Sequence, residues 1–235
     1  MTTLPDDPII FAAHAIREAD ALLITAGAGM GVDSGLPDFR GNEGFWKAYP
    51  AIATLGISFP QMANPDWFRR DPRLAWAFYG HRLDLYRRIQ PHDGFATLLR
   101  LAHEKNHGGF VLTSNVDGHF QQAGWPEDQV AECHGSIHQL QCTRPCSSEI
   151  WSAGNLSLEI DSESFRVTGS LPLCPRCGAL ARPNILMFSD GFWLEKRSAD
   201  QEARMQRWLA DSHIQRARLA IIEIGAGTAV PTIRQ

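Results

Sequence analysis

The distribution of apolar and polar positions predicts strands that alternate with helices. Short, mostly apolar runs predict buried strands at 21–24, 110–113, 182–188 and 219–224. Apolar residues with helical spacing predict helices at 8–19, 71–88 and 199–217, of which the last is strongly charged. Such alternation is typical of an α/β protein with a parallel sheet. We expect the first helix to pack on that sheet and the last to present a solvated face.

Composition sets broad limits on size and partners. The 235 residues, of which 44% are hydrophobic, suffice for one large domain carrying a small one. A net charge of −4 provides no basic field for nucleic acid or for an anionic membrane. The N-terminus lacks the features of a signal peptide, and no apolar run reaches the roughly 18 residues of a membrane span. We therefore expect a cytoplasmic protein with small-molecule or peptide substrates; nothing in the pattern sets an oligomeric state.

A glycine-rich turn follows the first predicted strand. Gly27, Gly29 and Gly31 come shortly after the run at 21–24. Glycine permits conformations and close approaches that a Cβ forbids, and the exposed N–H groups of such a turn can hold phosphate oxygens. A dinucleotide is a natural ligand, although glycine turns after strands are also common structural features. The spacing alone leaves both interpretations open.

Four of the five cysteines form two close pairs. Cys142 and Cys146 are separated by three residues, and Cys174 and Cys177 by two. In a reducing compartment, this pattern indicates a tetrahedral zinc site rather than disulfides. Four sulfur ligands leave no position open for substrate, so the metal is expected to be structural. The segment between the pairs has little periodicity and is typical of a small module held together by its metal.

Several motifs resemble those of the sirtuin family, and they occur in the family's order. The strings that carry the resemblance are the glycine turn followed by Ser34-Gly35-Leu36-Pro37-Asp38-Phe39-Arg40, then Asn115-Val116-Asp117, His134-Gly135, the paired cysteines, Arg182-Pro183 and Gly225-Ala226-Gly227. The chain departs from the family at Gly31, Ser114 and Ser189-Asp190. The resemblance covers nearly the whole chain. It implies a Rossmann-like parallel-sheet domain, formed by 1–137 and 180–235, with an inserted zinc-binding module at 138–179.

The resemblance also implies NAD as co-substrate and assigns residues to it. In this reading the cofactor-binding residues are Ala26, Gly27, Ala28, Gly29, Asp38, Phe39, Arg40, Ser114, Asn115, Asp117, His134, Gly225, Ala226 and Gly227. Segment 42–65 corresponds to the cofactor-binding loop, whose Phe45, Trp46 and Tyr49 would help close over NAD. Aromatic residues that merely anchor an irregular segment remain the alternative.

Catalysis is assigned to three of these residues. An imidazole exchanges protons near neutral pH, which makes histidine the usual general base. The His-Gly match implies that His134 is the base that activates a ribose hydroxyl. Asn115 and Asp117 would line the nicotinamide pocket.

Two further segments are candidates for substrate binding. Tyr79 and Arg82 stand three residues apart, on one face of the predicted helix at 71–88. They resemble the pair that receives the carboxylate of an acidic acyl-lysine in sirtuins of the desuccinylase and demalonylase type; an ordinary amphipathic helix with an exposed arginine is the alternative. Phe188, Ser189 and Asp190 match the edge along which the family adds its substrate peptide as a strand.

The implied activity is that of an NAD-dependent protein lysine deacylase, a deacetylase or desuccinylase. It would transfer the acyl group to the ribose and release nicotinamide and O-acyl-ADP-ribose. The same motifs are also compatible with two alternative functions. An ADP-ribosyltransferase or NAD glycohydrolase would use the same nicotinamide pocket, whereas a non-catalytic NAD-sensing module would not need His134.

Overall fold

The computed structural model of the chain describes residues 7–37, 42–227 and 231–234. Its strands are β1 (Ala21–Ala26), β2 (Gly109–Thr113), β3 (Val130–Glu132), β4 (Gly135–Cys142), β5 (Ile150–Ser152), β6 (Ile160–Asp161), β7 (Arg166–Val167), β8 (Ala181–Ile185) and β9 (Leu219–Ile224). Its helices are α1 (Pro8–Glu18), α2 (Gly29–Val32), α3 (Asn42–Ala48), α4 (Pro50–Thr54), α5 (Phe59–Met62), α6 (Trp67–Arg70), α7 (Pro72–Arg88), α8 (Asp93–His103), α9 (His119–Gln122) and α10 (Lys196–Ile214). Within these ranges, no helix combines the length and apolar character needed to cross a membrane.

The larger sheet is parallel, as the alternating pattern predicts. Its strands lie in the order β3-β2-β1-β9. Every residue of β1 is buried, because a central strand of a parallel sheet is covered on both faces. In the register of the sheet, Ala26 lies opposite Thr113 on one side and Ile224 on the other. The carboxyl ends of three strands therefore reach one edge together, where open α/β sheets bind their ligands.

The first helix forms where expected but packs only in part as expected. Asp7 caps it by accepting a 2.8 Å hydrogen bond from the backbone N–H of Ile9, and Pro8 occupies the first turn. None of its residues is buried, and Ile9 and Phe11 are 78% and 43% exposed. Ile16 packs partly against the core around β1. The expectation that this helix packs on the sheet is therefore met only in part, since Ile16 reaches the core while the apolar residues of the first turns stay exposed.

A second, antiparallel sheet stands beside the first. Its order is β5-β4-β8, and Gly135 of β4 lies opposite Ile185 of β8. The segment at 181–185, which the sequence places in the parallel-sheet domain, thus hydrogen-bonds to the strand that enters the cysteine module. The short β6–β7 hairpin extends that module. The division of the chain into domains remains a prediction.

The largest apolar cluster lies around α7, which Asp71 and Pro72 start as the sequence predicts. Segment 42–65, expected to be an irregular loop, contains the short helices α3, α4 and α5 instead. Phe45 and Tyr49 from this segment are buried in the cluster, and their rings contact Phe78 at centroid distances of 5.8 and 5.1 Å. Both rings therefore anchor the segment to α7.

Candidate active site

Three turns meet at the carboxyl edge of the parallel sheet. Gly29 donates its backbone N–H to the carbonyl of Gly225 at 3.0 Å, which joins the first glycine turn to the turn after β9. The Asn115 side-chain amide donates to the carbonyl of Gly27 at 3.1 Å, and the backbone N–H of Ser114 donates to the carbonyl of Ala26 at 3.1 Å. The structure thus brings together candidates from segments that lie far apart in the sequence.

Glycine is required where two of these turns touch. A Cβ on Gly27 would lie 2.7 Å from the carbonyl oxygen of Gly225 and 2.9 Å from the Cα of Ala226. Gly225 itself has a φ of 63°, a conformation that side chains disfavour. The two turns therefore approach each other as closely as backbone permits. At Gly31, where the chain departs from the sirtuin motif, the space for a side chain is taken by the Cδ1 atom of Leu36, 2.8 Å from an added Cβ.

Some of the sequence candidates lie outside the described residues. These are Asp38, Phe39 and Arg40. Within the described ranges, Ala28 is exposed at the start of α2, whereas Gly227 follows the Gly225 turn and is half-buried. Asp117 is 7% exposed and is fixed from two sides. Its carboxylate accepts a 2.9 Å bond from the backbone N–H of His119, and its carbonyl accepts a 2.8 Å bond from Nε2 of His138.

His134 lies between β3 and β4 with a half-buried imidazole. Burial lowers the pKa of His134 below its ordinary value, and a hydrogen bond to the backbone carbonyl of Ser114 partly offsets that effect. A ring nitrogen that donates to a carbonyl leaves the other nitrogen as an acceptor in the neutral ring. This environment favours the neutral imidazole near pH 7, which is the form that a general base requires.

Helix α10 holds the strand that leads to His134. The backbone N–H of Glu132 donates to Gln201 at 3.1 Å, and its carbonyl accepts a 2.8 Å bond from the hydroxyl of Ser198. Its carboxylate, 1% exposed, pairs with Arg197 at 2.6 Å. The sequence indicates only a solvated face for this helix and misses the contacts, because nothing local to 196–201 marks Arg197, Ser198 and Gln201 as partners of a distant strand.

Tyr79 and Arg82 both lie inside the protein. Arg82 is 6% exposed, so the alternative of an exposed arginine on an ordinary amphipathic helix is wrong. Its guanidinium carbon lies 5.3 Å from the ring centre of Phe78, 5.9 Å from that of Tyr79 and 5.3 Å from that of Tyr86. The hydroxyl of Tyr86, which the sequence analysis overlooks, accepts bonds from Nε and Nη2 of Arg82. The i, i+4 spacing of Arg82 and Tyr86 is a signal that could have found it.

The predicted peptide edge divides into exposed and buried parts. Phe188 is 42% exposed, and its ring meets that of Phe59 edge-on at 6.3 Å. Ser189 is exposed and has a φ of 59°. Asp190, in contrast, directs its carboxylate into a buried ion pair with Arg182, at 2.6 and 2.9 Å. Leu186, another residue overlooked in the sequence, is 39% exposed and donates its backbone N–H to the carbonyl of His134 at 2.9 Å.

The four paired cysteines converge on one point. The sulfur atoms of Cys142, Cys146, Cys174 and Cys177 all lie within 4.8 Å of one another, and two of the pairs, Cys142–Cys177 and Cys146–Cys174, are 3.7 Å apart. Zn–S bonds of about 2.3 Å in a tetrahedron place the sulfurs about 3.8 Å apart. The donor set therefore fits a closed, structural zinc site.

Comparison with known proteins places these features in context. The sequence model of the Sir2 family matches residues 27–208. An NAD-dependent protein deacylase of Thermococcus kodakarensis is 33% identical over 181 residues, covering 76% of this chain and 63% of the relative. NAD-dependent protein deacylase 2 of Pseudomonas aeruginosa is 31% identical over 184 residues, covering 78% and 66%.

Solved structures share the fold. A Sir2 homologue in complex with ADP-ribose has a TM-score of 0.65 at 25% identity, and the match covers 93% of this chain and 77% of that one. The chain spans about 63% of the length of the first two curated relatives, from Thermococcus kodakarensis and Pyrococcus furiosus.

Proposed function

Because the chain belongs to the Sir2 family, the sirtuins, we propose that it is an NAD-dependent protein lysine deacylase that releases nicotinamide and O-acyl-ADP-ribose. The names of the relatives and the ADP-ribose complex of a homologue support this activity. The observation that carries it is the placement of His134. A half-buried imidazole that is biased to the neutral form lies beside a backbone turn of Ser114 and Asn115 that is itself bonded to the glycine turn.

The glycine turns supply the NAD-binding surface in this proposal. The backbone N–H groups of Gly27 and Gly29 join the two turns by donating to the carbonyls of Ile224 and Gly225, so phosphate oxygens would bind to other N–H groups of these turns. Asn115 and Asp117 line the nicotinamide pocket, and hydrogen bonds of the Asn115 side-chain amide and of the Asp117 carbonyl keep that pocket in shape. The resemblance of the motif at 34–40 to that of the family assigns Asp38, Phe39 and Arg40 to the same cofactor. Bound NAD supplies the ribose carbon that loses nicotinamide and takes up the acyl oxygen.

His134 provides the proton transfer. Its unprotonated ring nitrogen removes the proton from the ribose hydroxyl next to the reacting carbon, while the carbonyl of Ser114 holds the other ring nitrogen. Leu186, whose backbone is hydrogen-bonded to that of His134, and the nearby Phe188 offer exposed apolar side chains for the acyl-lysine chain. Ser189, adjacent to Phe188, belongs to the edge along which the peptide adds as a strand. Asp190 supports this edge from inside, through its ion pair with Arg182.

Arg82 and Tyr79 give the enzyme a preference for acidic acyl groups such as succinyl. The guanidinium of Arg82 is buried among aromatic rings, where the carboxylate of an acyl group makes a strong charge-assisted interaction. A neutral acetyl group provides no such partner. The protein partner is an acyl-lysine peptide or protein, and composition favours a cytoplasmic location with no nucleic-acid or membrane partner.

Mass spectrometry of NAD incubated with acetyl-lysine and succinyl-lysine peptides tests the activity. O-acyl-ADP-ribose together with deacylated peptide is the expected result. Free ADP-ribose and nicotinamide without peptide turnover would instead identify an NAD glycohydrolase, and ADP-ribosylated peptide would identify a transferase. His134→Ala should abolish turnover, whereas His103→Ala, an exposed histidine of α8, should leave it unchanged.

A further inference from the structure

Tyr86 of helix α7 accepts hydrogen bonds from Arg82 in addition to packing against it. Tyr79, Arg82 and Tyr86 lie on one face of the helix, and Tyr86 is 4% exposed. The Tyr86 hydroxyl accepts hydrogen bonds from Nε of Arg82 at 3.1 Å and from Nη2 at 2.7 Å. One oxygen thus holds a whole edge of the guanidinium.

The position of Tyr86 connects the two halves of the proposed site. Its ring centre lies 6.5 Å from that of His119, two residues after Asp117. The charge of Asp117 acts on the Tyr86 phenol, while burial is the main reason why the pKa of Tyr86 is raised and the phenol stays protonated. Tyr86 therefore lies between the arginine of the acyl site and the loop of the nicotinamide pocket.

We propose that Tyr86 is a specificity-determining residue that positions Arg82 to receive the carboxylate of an acidic acyl-lysine. This inference rests on the proposed deacylase function. Tyr86 acts through Arg82 and is a positioning residue rather than a catalytic one. A carboxylate that pairs with Arg82 meets a guanidinium whose Nε–Nη2 edge is already fixed.

The physical basis is preorganisation. An arginine side chain carries about 2 kcal/mol of rotamer entropy, which an unrestrained residue loses when it binds a ligand. The two bonds to Tyr86 and the three surrounding rings restrict those rotamers before the substrate arrives. Without the hydroxyl, the buried guanidinium loses an acceptor and is free to move toward other oxygens. Selectivity for acidic acyl groups should then fall.

The substitution Tyr86→Phe removes the hydroxyl and keeps the ring. We expect the ratio of kcat/KM for succinyl over acetyl peptide to fall about tenfold, mainly through a higher KM for the succinyl peptide, since hydrogen bonds to charged groups contribute at this level. Arg88→Ala is the matched control, because Arg88 is an exposed residue of the same helix that pairs with Asp84. It should leave the ratio unchanged.

A double-mutant cycle separates positioning from general structural damage. Arg82→Met should abolish the preference for succinyl, and adding Tyr86→Phe to that variant should change the ratio no further. Should Tyr86→Phe instead lower the activities on succinyl and acetyl peptides equally, in the wild-type and the Arg82→Met background alike, the ratio of kcat/KM would stay unchanged. That result would overturn the proposal for Tyr86 and leave the deacylase function standing.

Binding provides a readout that does not need turnover. Fluorescence anisotropy with labelled succinyl-lysine and acetyl-lysine peptides should show that Tyr86→Phe weakens binding of the succinyl peptide about tenfold, in line with the loss of a charge-assisted interaction. If the wild-type protein turns over neither peptide, the proposed function fails, and the same binding ratio still decides the role of Tyr86. Equal affinity of wild type and Tyr86→Phe for the succinyl peptide would refute it.

Discussion

The backbone N–H of Leu186 donates a 2.9 Å hydrogen bond to the backbone carbonyl of His134. Leu186 follows β8 of the antiparallel sheet, whereas His134 follows β3 of the parallel sheet. The bond therefore ties the candidate base to both sheets. It also brings the backbone of Leu186, whose side chain is 39% exposed, against the backbone of His134.

The acid limb of the activity should lie below pH 6.5. Burial lowers the pKa of His134 from its ordinary value of 6.5, so the neutral base persists to a lower pH than in an exposed histidine. Activity should reach its maximum above pH 6.5 and should fall at lower pH, as the imidazole of His134 becomes protonated. A profile of kcat against pH measures this directly. An acid limb centred above pH 7 would contradict the assigned environment.

Replacing Gly135 by alanine should damage both stability and activity. An added Cβ would collide with the backbone carbonyl of Asn184, and the φ of 77° already disfavours a side chain. The strain of a positive φ costs about 1–3 kcal/mol, and the collision adds to it. Gly154→Ala is the matched control, since Gly154 has a φ of 48° but open space around it. Urea unfolding should show a clearly larger loss for Gly135→Ala; equal losses would argue against the collision.

Asp190→Asn should lower the free energy of unfolding by about 3–5 kcal/mol, because it leaves the guanidinium of Arg182 buried without its charge partner. Asp200→Asn removes one member of an exposed pair with Lys196 and should leave the unfolding midpoint unchanged. Thermal and urea unfolding of the two variants provide the comparison. Similar midpoints would mean that the Arg182–Asp190 pair contributes little.

The protein should contain one zinc ion, bound by the four-cysteine cluster. Cys177→Ser should lose the metal and lower the melting temperature, since a structural zinc contributes folding free energy. Cys133→Ser should retain it, because Cys133 lies outside the cluster and its thiol donates to the carbonyl of Thr113. Atomic absorption of the purified proteins measures the zinc content. Full zinc content in Cys177→Ser would speak against a site of four sulfur ligands.

Loss of the contact between α10 and β3 should reduce kcat more than KM. Gln201→Leu removes the acceptor for the Glu132 N–H, two residues before His134, and leaves the substrate-binding residues in place. We expect kcat to fall about tenfold, as misplacement of a base by a fraction of an ångström is costly. Glu202→Ala alters an exposed neighbour and serves as control. A change confined to KM would exclude a role in positioning His134.

Local patterns in the sequence predict several parts of this protein correctly. The apolar runs identify β1 and β2, because a buried strand of a parallel sheet needs apolar residues on both faces. The run at 219–224 also forms a strand, β9, but the prediction that it is buried is wrong, since β9 lies at the edge of the sheet and Ile221 is 63% exposed. Asp71 and Pro72 mark the start of α7, since capping acts within one turn of a helix. The cysteine spacing likewise predicts the metal cluster, because each pair forms one knuckle of the site.

The sequence by itself therefore determined four strands (β1, β2, β8 and β9), three helices (α1, α7 and α10), the family motifs and the paired cysteines, all of which depend on residues that are close along the chain. Only the tertiary structure decided that Arg82 is buried against Tyr86, that Asp190 faces inward to Arg182, and that Ile9, Ile10 and Phe11 of α1 stay exposed. Burial and pairing depend on which segments pack against one another. A local pattern of residue types does not contain that information, because the same side chain is a solvated charge on one surface and a structural or binding group in another.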